Sequence, residues 1–122
     1  MAKKKRVVIV EDEVNIANAQ KIILGDEFDV SVAYDGESGL DLIKKVAPDL
    51  VVLDLMLPNR GGYDVCFSMR QDDSLKDIKI IMVTALNQQL DKEKGVMVGT
   101  DAYLTKPFEP EQLLKAVRDL LS

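Results

Sequence analysis

Short apolar runs recur along the chain and alternate with segments that have helical periodicity. Residues 7–10, 50–53 and 78–83 are continuously or almost continuously apolar, which is typical of strands buried on both faces of a sheet. Residues 29–33 alternate apolar and polar side chains, as a half-buried strand does, and residues 102–104 form a short apolar run. The pattern therefore predicts five strands.

Five helices are predicted to alternate with these strands. They cover residues 14–24, 38–46, 63–71 and 87–98, and a last helix has Pro110 in its first turn. The helix over 87–98 is polar with few apolar anchors, so we expect it to be marginally stable. The side chains expected to face inward are Ile16, Ala19, Ile22 and Ile23 in the first helix, Leu40, Ile43 and Val46 in the second, Val65, Cys66 and Met69 in the third, and Leu113, Leu114, Val117 and Leu121 in the last.

The order of elements predicts an α/β fold with a parallel sheet and helices on both faces. The first, third and fourth strands are the most apolar, so we place them at the centre and the second and fifth at the edges. Strand order 2-1-3-4-5 satisfies this placement, and it is the flavodoxin-like doubly wound arrangement. A chain of 122 residues suits one domain, which we expect to span 1–122.

Composition narrows the classes of function. The formal net charge of -5 argues against direct nucleic-acid binding, and the basic run 3–6 is expected to be a solvated tail. The absence of histidine excludes imidazole metal sites, Ser-His-Asp chemistry and a phosphohistidine on this chain. Cys66 is the single cysteine, which fits a reducing cytoplasm. No apolar run has membrane-spanning length, so we expect no membrane association.

Chemically active side chains follow four of the predicted strands. They are Glu11 and Asp12, Asp54, Thr84, and Lys106. Taken singly, each has a plainer interpretation, such as a helix cap, a strand-end hydroxyl or a surface lysine. Because parallel strands point their carboxyl ends at one edge of the sheet, the coincidence favours a single site there.

Carboxylates gathered at one edge suit a hard divalent cation, most simply Mg²⁺. Lys106 adds a fixed cation and Thr84 a hydroxyl donor, so the pocket can neutralise the oxygens of a phosphoryl group in transfer. Asp54 lies at the centre and is the natural nucleophile. Its attack on phosphorus would give an aspartyl phosphate.

Four segments carry a resemblance to a known family. They are VVIVEDE, DLVVLDLMLP, IIMVTA and GTDAYLTKPF. The chain resembles, from residue 5 to its end, the receiver domain of response regulators in two-component signalling, including the chemotaxis regulators. The resemblance implies a phospho-acceptor switch rather than an enzyme, which takes its phosphoryl group from a sensor histidine kinase or a histidine phosphotransfer protein.

The resemblance also implies a role for each residue of the site. Asp54 would be phosphorylated, and Mg²⁺ would bind Asp12, Asp54 and the backbone carbonyl of Met56, with Glu11 acting through water. Lys106 would bind the phosphoryl group.

A conformational change is implied by the same resemblance. Thr84 and Tyr103 would be the switch pair, and the peptide bond between Lys106 and Pro107 would be cis. The face of the predicted fourth helix, fifth strand and fifth helix would then control an output partner whose identity the sequence does not reveal.

Two further expectations concern lifetime and docking. Met56 and Leu86 flank the approach of water in receivers, and neither side chain can orient a water, so we expect a long-lived phosphorylated state. The partner would dock on the first helix, at Asn15, Ile16 and Asn18, and on the loop after the fifth strand. The last helix lacks the full charge pattern of dimerising receivers, which favours a single-domain protein, monomeric when unphosphorylated.

Other classes of protein fit less well. A phosphatase of the haloacid dehalogenase type needs a second aspartate two residues after the nucleophile, where this chain has Met56. No Gly-rich phosphate loop supports a nucleotide-binding protein. A receiver that has lost its chemistry would not be expected to keep all of Asp12, Asp54, Thr84 and Lys106. Gly61 departs from the family, which often has aspartate there, and this weakens only the cap of the third helix.

Overall fold

The computed structural model describes residues 3–85 and 98–122, and its centre is a five-stranded parallel sheet. The strands are β1 (Arg6–Val10), β2 (Asp29–Ala33), β3 (Leu50–Asp54), β4 (Lys79–Ala85) and β5 (Ala102–Lys106). Their order is β2-β1-β3-β4-β5, which confirms the predicted arrangement. All five residues of the central β3 are buried, as the unbroken apolar run predicts.

Four helices are present in the described part of the chain. They are α1 (Val14–Gly25), α2 (Gly36–Val46), α3 (Gly62–Gln71) and α4 (Pro110–Leu121), the last being the fifth helix of the prediction. The predicted helix over 87–98 lies, except for its final residue, outside the described residues. Among the described helices, none combines the length and apolar character needed to span a membrane.

The helices cover the two faces of the sheet in pairs. Val51 and Leu53 of β3 point into a core shared with α2 and α3. Leu50 and Val52 point to the opposite core, which contains residues of α1 and α4. This alternation is the geometry of a strand buried on both faces.

The buried face of α1 differs from the prediction. Ala17, Gln20 and Leu24 are its buried residues. Ala19 is exposed and Ile22 is 77% exposed, so the prediction that they face inward is wrong. The apolar residues of this helix are spread around its circumference, and the pattern therefore does not select one face. In α2, α3 and α4, the predicted apolar side chains are buried or half-buried.

The basic run at the start of the chain is exposed, as predicted, but three of its side chains also hydrogen-bond to the ends of helices. Lys4 Nζ donates a hydrogen bond to the carbonyl of Gly25 at 3.3 Å, and Lys5 Nζ to that of Leu121 at 2.8 Å. Arg6 Nη1 donates to a carbonyl at the end of α2 at 3.0 Å. Helix C-termini carry unpaired carbonyls and partial negative charge, and three of them meet where β1 begins.

Candidate functional site

Three carboxylates meet at the carboxyl edge of the sheet. Glu11 and Asp12 directly follow β1, and Asp54 is the last residue of β3. One oxygen from each of the three lies within 4.8 Å of the others. The register that pairs Val10 with Leu53 holds the two strand ends level, so the sheet itself brings these side chains together.

One lysine ammonium is shared by two of these carboxylates. Lys106, the last residue of β5, places Nζ 2.5 Å from Glu11 Oε1 and 3.1 Å from Asp54 Oδ2. Glu11 is 1% exposed and Asp54 is 7% exposed, whereas Asp12 is exposed. The edge therefore combines a buried ion-pair network with a third carboxylate open to solvent.

Burial, hydrogen bonds and neighbouring charges shift the pKa values of Glu11 and Lys106. Burial raises the pKa of Glu11 to about 7, although hydrogen bonds from Lys106 and from the Glu13 amide oppose the rise. Burial acts to lower the pKa of Lys106, but its hydrogen bond to Glu11 and the charge of Asp54 outweigh that, and its pKa lies above the usual value. Surplus negative charge is the electrostatic condition that favours a divalent cation.

The Asp54 side chain is held at both oxygens. The Met56 amide donates to Oδ1 at 3.1 Å, while Lys106 contacts Oδ2. The Leu55 amide donates to the carbonyl of Val83 at 2.8 Å, which continues the strand pairing beyond Asp54. The backbone thus fixes where this carboxylate lies.

The two residues of the expected switch pair lie on β4 and β5. Thr84 is buried, and its Oγ1 donates to the carbonyl of Ala85 at 3.4 Å. Tyr103 is half-buried against the core of the α2–α3 face. Within the described residues, its buried hydroxyl has no hydrogen-bond partner.

The remaining predicted residues lie around this edge. The peptide bond between Lys106 and Pro107 is cis, as the resemblance implies. Met56 is 63% exposed, and Leu86 lies outside the described residues. On α1, the side chains of the expected docking surface are exposed at Asn15 and Asn18 and half-buried at Ile16.

A groove of about 1000 Å³ lies beside the site, between α1 and the connection from β5 to α4. Its apolar lining includes Ile16, Ile23, Pro107, Phe108 and Pro110. Gln20 also lines it, and no described residue bonds its Oε1. The sequence analysis placed partner docking on α1 and on the loop after β5. It did not identify Phe108 or Gln20, because helical periodicity gives no signal for either residue.

A family model described as "Response regulator receiver domain" matches residues 7–118, which is most of the chain. The chain belongs to the response regulator receiver domain family. Receiver domains are the phospho-acceptor switches of two-component systems and bind Mg²⁺ at an acidic pocket, and this chain has an acidic cluster at the carboxyl edge of its sheet.

Relatives and solved structures agree with this family. The chain is 44% identical over 117 residues to the DNA-binding dual master transcriptional regulator RpaA of Synechocystis, covering 95% of this chain and 48% of that protein. It is similar to chemotaxis response regulator CheY4 of Vibrio cholerae (TM-score 0.90, 28% identity, 97% and 99% of the two chains). It is equally similar to a CheY-like receiver domain protein of Methanospirillum hungatei (TM-score 0.90, 28% identity, 98% and 94%).

The match to RpaA bears on one expectation. The chain spans about half the length of that relative, which is described as a DNA-binding regulator. The expectation that this protein makes no direct contact with nucleic acid is therefore not supported.

Proposed function

We propose that Asp54 accepts a phosphoryl group from a phosphohistidine on a sensor histidine kinase or a histidine phosphotransfer protein. The single observation that carries this proposal is the contact of Lys106 Nζ with Asp54 at 3.1 Å inside an acidic cluster. It joins a nucleophile to a cation that can bind the incoming group. Family membership supplies the reaction class.

In the proposed step, an Asp54 carboxylate oxygen attacks phosphorus. The P–O bond forms as the P–N bond to the donor imidazole breaks, and the imidazole leaves with the electron pair. The Lys106 ammonium pairs with Asp54 before transfer. After transfer it donates to a phosphoryl oxygen and neutralises part of the negative charge there. Attack of water on phosphorus then breaks the bond to the Asp54 oxygen, releases inorganic phosphate and ends the signal.

The donor set fits Mg²⁺. Asp12 and Asp54 offer carboxylate oxygens and Met56 a backbone carbonyl, while Glu11 would act through water. Hard oxygen ligands with positions left for water suit this ion, and three carboxylates exceed the charge of one lysine. When bound, the cation stabilises negative charge on the phosphoryl oxygens.

Phosphorylation is proposed to act on the face formed by residues 87–98, β5 and α4. Thr84 would turn toward the phosphoryl oxygens, and Tyr103 would change its position in response. The buried Tyr103 hydroxyl, which no described residue bonds, supports a side chain that gains a partner in another state. Tyr103→Ala should leave phosphorylation intact and impair binding of the output partner, measured with the phosphorylated protein.

The phosphodonor protein is proposed to dock at Asn15, Ile16 and Asn18 and along the groove beside Phe108. Replacement of Asn15 or Asn18 by a charged residue should slow phosphoryl transfer from the partner and spare labelling by a small phosphodonor. Equal loss in both assays would exclude this surface. The proposed unit is one receiver domain over 1–122, monomeric when unphosphorylated, with an output partner still to be identified.

Met56 and Leu86 are proposed to hinder the water that hydrolyses the aspartyl phosphate. Met56 is largely exposed beside Asp54 and cannot orient a water by hydrogen bonding. The phosphorylated state should therefore last minutes or longer, and Met56→Asn should shorten it. A half-life of seconds that the substitution does not change would reject this role.

The proposed function is tested by intact mass after incubation with Mg²⁺ and a small phosphodonor. We expect one added phosphoryl group on the unmodified chain and none on Asp54→Asn. Asp41→Asn, an exposed aspartate of α2, is the matched control and should be labelled fully. Labelling of Asp54→Asn to the same extent would reject Asp54 as the acceptor.

A further inference from the structure

The loop from β3 to α3 carries Met56, and hydrogen bonds close it at its base. The Gly62 amide donates to the carbonyl of Leu55 at 2.9 Å, and the Arg60 amide donates to that of Pro58 at 2.8 Å. A Cβ on Gly62 would lie 2.4 Å from the carbonyl oxygen of Asp54. The loop therefore returns tightly against the end of β3 and has little freedom there.

The opposite side of this loop rests on the start of α2. The buried Gly36 donates its amide to the carbonyl of Pro58 at 3.2 Å. A Cβ on Gly36 would lie 1.9 Å from the Arg60 carbonyl oxygen and 2.6 Å from its carbon. Backbone meets backbone at this point, so any larger residue at Gly36 must displace the loop.

The Arg60 side chain reinforces the same contact. Its Nε lies 2.9 Å from Glu37 Oε1 on α2 and 3.6 Å from Asp64 Oδ2 on α3. Its Nη1 donates to Ser68 Oγ at 3.2 Å. One guanidinium thus joins the first turns of two helices across the loop, and it orients the loop more than it stabilises the fold.

We infer that Gly36 and Arg60 are positioning residues for the metal: Gly36 at the start of α2 and Arg60 in the β3–α3 loop hold that loop against α2, so that the Met56 carbonyl is in place as a ligand. The inference rests on the proposed function, because it concerns the same Mg²⁺ site. Mg²⁺ demands near-ideal ligand geometry, and residues that orient its ligands commonly control affinity by about tenfold or more. No atom of Gly36 or Arg60 is itself offered to the ion.

The test is the Mg²⁺ dissociation constant, measured from backbone amide chemical shifts of the unphosphorylated protein. Gly36→Ala should weaken Mg²⁺ binding by about tenfold or more, because the added methyl group displaces the loop. Gly61→Ala is the matched control in the same loop, since a Cβ there would meet only one atom, at 3.8 Å. Gly25→Ala, where a Cβ meets nothing within 4 Å, controls for the substitution itself. Both controls should bind Mg²⁺ within about twofold of the unmodified protein.

Arg60 provides a second, milder variant. Arg60→Ala should weaken Mg²⁺ binding by about two- to fivefold, less than Gly36→Ala does, because the ion pair with Glu37 is partly exposed. Arg60→Lys should recover most of the loss, since a lysine can still pair with Glu37. A purely structural role would instead lower the unfolding midpoint of these variants and leave the dissociation constant unchanged.

The outcomes separate this inference from the proposed function. Unmodified protein that binds no Mg²⁺ overturns both. Normal binding that Gly36→Ala preserves overturns only the positioning role, and the acceptor chemistry of Asp54 stands. If Gly36→Ala fails to fold, Arg60→Ala decides: an unchanged dissociation constant rejects the inference, and a weakened one that Arg60→Lys restores supports it.

Discussion

The two edges of the sheet carry the same kinds of charged side chain and use them differently. At the amino edge, Asp49 accepts the Arg6 amide at 2.8 Å, and Asp101 accepts the Ile80 amide at 2.8 Å and the Arg70 guanidinium at 3.0 Å. Each of these carboxylates is matched to donors of the protein itself. At the carboxyl edge, Glu11 and Asp54 share the ammonium group of Lys106, and the third carboxylate of the cluster, Asp12, is exposed to solvent.

The difference shows how a structural charge cluster is told from a binding site. Arg70 also donates to the carbonyls of Gly99, Lys76 and Ile78 at 2.7–3.0 Å, so its hydrogen-bonding capacity is filled by backbone. Such a network closes the fold and leaves no charge for a ligand. The carboxyl edge keeps a surplus of negative charge, which a cation and a phosphoryl group can use.

The largest expected effect on stability lies at the amino edge. Arg70→Ala should lower the free energy of unfolding by about 3 kcal/mol, because it removes the cation paired with Asp101 and the donor of hydrogen bonds to the carbonyls of Gly99, Lys76 and Ile78. Chemical denaturation measures the change. The Mg²⁺ dissociation constant should stay within about twofold of normal, and a large loss of metal binding would break the distinction between the edges.

Asp12→Asn should show the opposite behaviour. The Asp12 side chain is exposed, so the free energy of unfolding should change by less than about 0.5 kcal/mol. Mg²⁺ affinity should fall by about tenfold or more, because a ligand carboxylate is replaced by a neutral amide. Titration calorimetry gives the affinity, and unaltered binding would remove Asp12 from the metal site.

Glu11→Gln should change the pH dependence of stability. The pKa of Glu11 is raised from 4.5 to about 7, so the Mg²⁺-free folded protein holds a proton that the unfolded chain releases. Its contribution to stability is therefore lost as pH rises through that window. Glu11→Gln should flatten the fall in unfolding free energy between about pH 5 and pH 7. An unchanged slope would show that another group dominates.

The smallest effect is expected where the basic run meets the helix ends. Lys5→Ala should lower the free energy of unfolding by about 0.5 kcal/mol, because it removes a cation from the C-terminus of α4. Lys3→Ala is the matched control and should have no measurable effect. If both variants behave alike, the hydrogen bond of Lys5 contributes nothing to stability.

Sequence patterns predicted the strand order and the composition of the carboxyl edge. The three most apolar runs are the central strands, and strand ends in a parallel sheet must share an edge. Helical periodicity in α2, α3 and α4 also identified the buried side chains. These features depend on local sequence patterns, namely apolar runs and helical periodicity.

Long-range contacts were not predictable in the same way. The inward face of α1 depends on which of its scattered apolar residues fits the sheet, and Gln20 is buried there instead of Ile22. The contacts of Lys5 with Leu121 and of Gly36 with Arg60 join residues far apart in the chain. Only the folded arrangement brings such pairs together.

The most direct measurement is chemical identification of the phosphorylated residue. Borohydride reduces an acyl phosphate to an alcohol, so an aspartyl phosphate is converted to homoserine that peptide mass spectrometry can locate. After incubation with a phosphodonor and Mg²⁺, we predict homoserine at position 54, and none when Mg²⁺ is removed by a chelator. Homoserine at another aspartate, or at position 54 to the same extent without Mg²⁺, would contradict the claim that the carboxyl edge is a metal-dependent phosphoryl acceptor.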